Sequence, residues 1–143
     1  MNEFQERLQE LLDSLNLNRS QLAQIIGITS TTLNGYFNNG YYPQFDIAIK
    51  MAEHFDCSLN YLFGLSDEKE NTNKNENSFF ENFDNLIKSN KMSIAKVMQD
   101  LKMSEYNYYR WKAGKFPKTI NLIEISKYFD VSIDYLVGRS NVK

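Results

Sequence analysis

Ser104–Lys115, SEYNYYRWKAGK, places four aromatic residues and three cations around a single glycine. The turn that leads into it, Leu101-Lys102-Met103-Ser104, reads as one helix stopping and another starting. Ser104 caps the second helix by accepting from its free backbone N–H groups. Tyr108 and Trp111 lie three apart and share one face, which predicts a buried side. Tyr106, Arg110 and the cations around Ala113 fall elsewhere, which predicts an exposed one. A short helix held by an aromatic face, with cations at its exposed end, suits insertion into a DNA groove. The same composition also suits an ordinary surface helix. What separates the two readings is that the chain contains this unit twice.

Working outward, Phe79, Phe83, Leu86 and Ile87 repeat Phe4, Leu8, Leu11 and Leu12 at a shift of 75 residues. Val97, Met98, Leu101, Met103 and Ser104 repeat Leu22, Ala23, Ile26, Ile28 and Thr29 at the same shift. Pro117 repeats Pro43 at a shift of 74, so one residue is expected to be lost in the loop between. From there FDVSIDYLVG (Phe129–Gly138) matches FDCSLNYLFG (Phe55–Gly64) position by position. The pattern is a tandem duplication of a unit of about 65 residues; two copies of such length make two small globular domains, not a solenoid.

Each copy reads as five helices. In the first, Phe4, Leu8, Leu11, Leu12 and Leu15 recur at helical spacing. Asn18, with Gln21 three residues on, forms a capping box for the second helix, whose buried face is Leu22, Ala23 and Ile26. Gly27 supplies the left-handed residue that ends it. Thr29 caps a third helix with Leu33, Tyr36 and Phe37 inward, broken by Asn38-Asn39-Gly40. Ile47, Ala48, Met51, Ala52 and Phe55 mark a fourth. Ser58 caps a short fifth that stops at Gly64. No segment alternates well enough to be a strand. Residues 67–78, DEKENTNKNENS, hold no apolar residue and are expected to be a flexible linker between domains at 1–66 and 79–143.

Composition narrows the function. A single cysteine, Cys57, excludes an internal disulfide framework and fits a reducing compartment. MNEFQERLQE is polar and acidic, unlike a signal peptide, and no apolar run approaches the roughly 20 residues that span a bilayer. The expectation is a soluble, cytoplasmic protein with no membrane partner. One histidine and one cysteine make neither a metal site nor a nucleophile–base pair, and no phosphate-cradling glycine loop occurs. No enzymatic activity, metal or cofactor is expected. His54 aligns with Tyr128 and reads as a partly buried helix residue; Cys57 aligns with Val131 and reads as a small core residue.

NRSQLAQIIGITSTTLNGYF in the first copy and SIAKVMQDLKMSEYNYYRWKAGKFP in the second resemble the phage-repressor and Cro-like (XRE-type) helix-turn-helix family. The tails HFDCSLNYLFGLS and YFDVSIDYLVGRS resemble that family's closing helix. The resemblance implies an all-α chain of two tandem lambda-repressor-like domains that bind double-stranded DNA, inserting the third helix of each into the major groove. It places DNA contacts in copy one at Arg19, Ser30 and Thr31, with Asn34, Gly35 and Asn38 following. In copy two it places them at Ile94, Glu105, Tyr106, Tyr109, Arg110 and Ala113, flanked by Lys112, Lys115 and Lys118. Three residues depart from the pattern. Ile94 stands where the family usually has a polar contact, and Glu105 puts an acid at the groove-entering tip. Lys102 replaces the turn glycine, at a cost on the order of 1 kcal/mol if that residue is left-handed.

Charge divides the copies. Residues 1–66 hold three cations (Arg7, Arg19, Lys50) against seven acids, a net −4, whereas residues 79–143 hold eleven against seven, a net +4. Phosphate contacts dominate DNA affinity, so the second copy is the better electrostatic match. Lys96, Lys102, Arg110, Lys112, Lys115 and Lys118 all fall between its second helix and the loop after its third. Two roles follow for this family: a repressor that occupies an operator, as a homodimer or as a pseudo-dimer of its own two copies, or a protein-binding module. In the second role the acidic first copy meets a protein partner, as an antirepressor, antitoxin-like protein or phage-borne inhibitor. Fully extended, the linker reaches roughly 40 Å, more than the ~34 Å between adjacent half-sites.

Overall fold

The computed structural model describes residues 2–70, 75, 77–141 and 143. The chain divides into two compact units, Met1–Glu70 and Asn71–Lys143. Among the described residues there are helices and no strands. Unit 1 holds α1 (Glu3–Ser14), α2 (Arg19–Ile26), α3 (Ser30–Asn39), α4 (Phe45–His54) and α5 (Leu59–Leu62). Unit 2 holds α6 (Phe79–Ser89), α7 (Ile94–Asp100), α8 (Glu105–Lys112), α9 (Thr119–Phe129) and α10 (Ile133–Leu136). Among the described residues no helix is long and apolar enough to cross a membrane.

Short polar side chains start these helices by accepting from the first-turn N–H groups. Asn18 and Gln21 form the reciprocal capping box expected of them. Thr29, Ser58, Ser93, Ser104 and Ser132 cap α3, α5, α7, α8 and α10. The two helices without a side-chain cap, α4 and α9, follow Gln44 and Lys118, each directly after a proline. The left-handed residues recur in register too. Asn16 and Gly27 are matched by Lys91 and Lys102 at a shift of 75, and Gly40, Asp56 and Gly64 by Gly114, Asp130 and Gly138 at 74. The register therefore slips between the start of the third helix and its closing glycine. The missing residue shortens α8 relative to α3, rather than the loop after it.

In unit 1, α1 packs on α3 and α5, and α4 on α2 and α5. Phe4 is fully buried, with the rings of Phe63, Tyr42 and Tyr36 centred 5.4, 5.9 and 6.3 Å away. Unit 2 centres its core on Phe83, which meets Phe79 and Trp111 at 5.6 Å and Phe129 at 6.2 Å. A polar residue ties the first helix to the last in each unit. Arg7 Nη1 donates to the Tyr61 carbonyl at 2.8 Å, with its guanidinium over the Tyr61 ring. At the equivalent place the fully buried Asn82 Nδ2 donates to the carbonyls of Tyr135 (3.0 Å) and Leu136 (3.1 Å).

The structure adds contacts to one expectation and changes another. The stretch 67–78 is anchored at both ends: the Lys69 carbonyl accepts from Ser58 N and Asp67 pairs with Arg7, while Asn75 Nδ2 donates to the carbonyls of Tyr135 and Ser140. Polar residues without apolar neighbours still saturate backbone groups left open at helix ends, as Asn75 does at α10. Residues 71–74 and 76 of the expected linker lie outside the described residues. His54 is exposed at the end of α4, edge-on to Phe55 at 5.5 Å. Its counterpart Tyr128 donates to Asp100 at 2.6 Å. Unit 1 has Ile25 where unit 2 has Asp100, so the imidazole has no acceptor there to hold it down.

Candidate nucleic-acid interface

In both units the second and third helices pack together across a tight turn, α2 on α3 and α7 on α8. Gly27 makes the first turn at φ 83° and Lys102 makes the second at φ 57°, so the lysine occupies the left-handed region that the missing glycine would have filled. Each turn then delivers a capped helix whose outer face is open.

On α8, Tyr108 and Trp111 are buried as their spacing predicts. Tyr108 also anchors the helix by donating to Asp84 Oδ1 at 2.7 Å, and Asp84 in turn pairs with Lys88 at 2.7 Å. Burial, then the hydrogen bond and charge of Asp84, push the Tyr108 hydroxyl up to about 12. Burial pushes the Asp84 carboxyl upward, but the bonds from Lys88 and Tyr108 and the charges of Lys88 and Lys112 outweigh it and hold the group below its ordinary value. The opposite side presents Glu105, Tyr106, Tyr109, Arg110 and Lys112, all exposed, and Lys115 and Lys118 follow in the exposed loop. Tyr106 is 68% exposed and Tyr109 52%. The Arg110 guanidinium lies 5.8 Å from the Tyr106 ring centre.

Among the described residues, Arg110, Lys112, Lys115, Lys118 and Lys102 make no ion pair. Lys96 differs, because it pairs with Asp100 at 2.9 Å. That aspartate also receives the Tyr128 hydroxyl, tying α7 to α9 and raising the phenol to about 12. Glu105 sits in the first turn of α8, where a negative charge complements the helix dipole. This gives the acid at the tip a structural reason of its own. Ile94 is half-buried at the start of α7.

On α3 the candidate residues meet differently. Ser30 and Thr31 are exposed in the first turn. Arg19, from the start of α2, reaches across and donates from Nη1 to Asn34 Oδ1 (3.1 Å) and Asn38 Oδ1 (3.2 Å). Its guanidinium carbon lies 4.1 Å from the Phe37 ring centre. Beside this cluster an open groove of ≈ 540 Å³ is lined by Thr31, Asn34, Gly35, Asn38, Asn39 and Tyr41, among others. Tyr41 is 63% exposed and lies against Gly35, where a Cβ would sit 3.1 Å from its Cδ2. Sequence reasoning missed both the Arg19 bridge and the placement of Tyr41. The available signal was Gly35 itself, since a glycine inside a helix is unfavourable by roughly 1 kcal/mol relative to alanine and asks for a packing reason.

Residues 8–62 match a family model described as helix-turn-helix. That span runs from inside α1 to the end of α5 and includes Arg19, the turn at Gly27 and all of α3. The chain is also similar to the uncharacterized HTH-type transcriptional regulator YobD of Bacillus subtilis strain 168. The two are 33% identical over 63 residues, which are 44% of this chain and 56% of that protein. The chain thus spans just over half the length of that relative. No solved structure matches it.

Proposed function

We propose, taking residues 8–62 as a helix-turn-helix unit, that the protein is a sequence-specific regulator of transcription that binds double-stranded DNA. In this reading residues 79–143 are a second copy of the same unit, and α3 and α8 each enter a major groove. The matched left-handed positions and caps of the two units support the duplication. The observation that carries DNA binding is the outer face of α8 and its loop. Arg110, Lys112, Lys115 and Lys118 stand there exposed and without ion pairs among the described residues, beside two exposed tyrosines. Unpaired cations beside a groove-sized helix suit phosphates, and exposed phenols suit sugar edges and bases. The protein would act in the cytoplasm, without catalysis, as a repressor that occupies an operator as a homodimer or as a pseudo-dimer of its own units.

A second reading rests on unit 1. Of the three cations in residues 1–66 two are engaged, Arg7 with the Tyr61 carbonyl and Arg19 on α3. Glu3, Glu6, Glu10 and Asp13 stand exposed at helical spacing along α1. Such a unit suits contact with a basic protein partner better than contact with phosphate. Fluorescence anisotropy on DNA from the protein's own upstream region, at rising salt, separates the readings. A regulator binds with affinity that falls steeply with salt. Absence of binding to both that DNA and a random-sequence pool at low salt would retire the regulator reading in favour of the protein-binding one.

A further inference from the structure

The Arg19 bridge decides which atoms α3 shows to a ligand. Arginine carries donors and no acceptor, so each asparagine that meets it must turn its oxygen inward and its NH2 outward. Asn34 and Asn38 both do so, through bonds of 3.1 and 3.2 Å to one guanidinium nitrogen. The two are one helical turn apart and line the same open groove as Thr31 and Tyr41. An asparagine that reads adenine in the major groove works bidentately: its oxygen accepts from the N6 amino group while its NH2 donates to N7. Here a charge-assisted bond holds each oxygen, and such bonds are stronger than neutral ones.

We propose that α3 is a donor array. Asn34 and Asn38 recognise acceptor edges, guanine N7 and O6 or thymine O4, and do not read adenine bidentately. Arg19 is a positioning residue that orients both amides, not a phosphate contact. This rests on the DNA-binding reading above and adds to it the base chemistry of unit 1. The equivalent places in unit 2 are Ile94, Tyr109 and Ala113, so the array belongs to unit 1 alone.

The test uses the full chain to select sites from a random duplex pool. Base pairs read by unit 1 are located as those whose preference disappears in Asn34→Ala/Asn38→Ala. Guanine or thymine is expected there, with roughly tenfold weaker binding when guanine is replaced by 7-deazaguanine. Replacing any adenine there by purine, which lacks the N6 amino group, is expected to change binding by less than about twofold, well under the discrimination of a bidentate contact. Arg19→Ala, checked for fold by circular dichroism, frees both oxygens and shifts the adenine-to-guanine preference at those positions about tenfold toward adenine. A uniform fall in affinity over all sequences in Arg19→Ala, or a salt slope shallower by about 0.9, would make Arg19 structural or a phosphate contact and overturn the proposal. So would base preferences that survive Asn34→Ala/Asn38→Ala, or a wild-type adenine preference that the purine substitution abolishes. If no duplex is enriched or bound at low salt, the DNA-binding reading falls and the array with it.

Discussion

Where unit 1 carries Arg19, Asn34 and Asn38 in a bonded cluster, unit 2 carries Ile94, Tyr109 and Ala113, and its cations stand apart on the outer face of α8. Beneath those surfaces the two units share features of backbone and contact. The same five turn positions are left-handed in both, and the Tyr61 and Tyr135 carbonyls accept from the equivalent residues Arg7 and Asn82. The difference shows what such a unit demands of its sequence. Buried faces, caps and left-handed turns hold the architecture, and everything on the outer face of the third helix is free to change. Unit 1 carries neutral hydrogen-bonding groups there, unit 2 charge and aromatic surface.

The comparison breaks most sharply if the units do not unfold separately. Leu8→Ala in unit 1 and Phe83→Ala in unit 2 each delete a fully buried side chain at equivalent places, costing about 2–5 and 3–5 kcal/mol. Trp111, the single tryptophan, reports on unit 2 alone. Denaturation followed by its fluorescence should shift with Phe83→Ala and stay put with Leu8→Ala, while far-ultraviolet circular dichroism registers both. A tryptophan transition that follows Leu8→Ala would mean one cooperative body.

The next effect concerns affinity. Arg110→Ala/Lys112→Ala/Lys115→Ala should flatten the slope of log affinity against log salt by about 0.9 for each phosphate deprived of its cation. Arg19→Ala should leave that slope unchanged, because its guanidinium faces Asn34 and Asn38. Anisotropy titrations at several salt concentrations measure both, and equal slope changes in the two variants would erase the distinction between the units.

A smaller effect tests the turns. Lys102→Gly should stabilise unit 2 by about 1 kcal/mol, since a left-handed non-glycine residue is strained, and Gly27→Ala should destabilise unit 1 by a similar amount. Urea midpoints read the two against each other. The smallest effect is a pH dependence. Tyr108 and Tyr128 are both raised to about 12 from an ordinary 10, so the folded state holds their protons more tightly. Their stabilisation is fully present below pH 10 and is lost as pH rises toward 12. Tyr36, raised by burial and then by Asp46, gives unit 1 a lesser dependence of the same sign. Tyr108→Phe should reduce the alkaline sensitivity of unit 2 in the tryptophan signal; an unchanged profile would remove the Tyr108–Asp84 bond from the account.

Much of this was legible in the chain because it is local. The capping box of Asn18 and Gln21, the Gly27 turn and the buried faces of α2 and α3 all join residues that are close neighbours along the chain. Spacing alone therefore identifies them. The outward placement of Tyr106, Tyr109, Arg110 and Lys112 followed from the same periodicity, once Tyr108 and Trp111 were assigned to the core. Reach in sequence marks where legibility ended. Gln5 is buried and donates to the Phe37 carbonyl, and Arg7 is half-buried and donates to the Tyr61 carbonyl, partners 32 and 54 residues away. Nothing in α1 distinguishes either from a solvated residue. Asn75 is a like case, its amide donating to the Tyr135 and Ser140 carbonyls 60 and 65 residues away.

By itself, then, the sequence determined the helices, their caps and the sign of charge on each unit, because those depend on near neighbours and on composition. Only the tertiary structure decided which cations remain available. Lys96 is spent on Asp100, Arg7 on a carbonyl, and Arg19 on two amides. A charge counted along a chain becomes a charge offered to a ligand only when no group brought near by folding has already taken it.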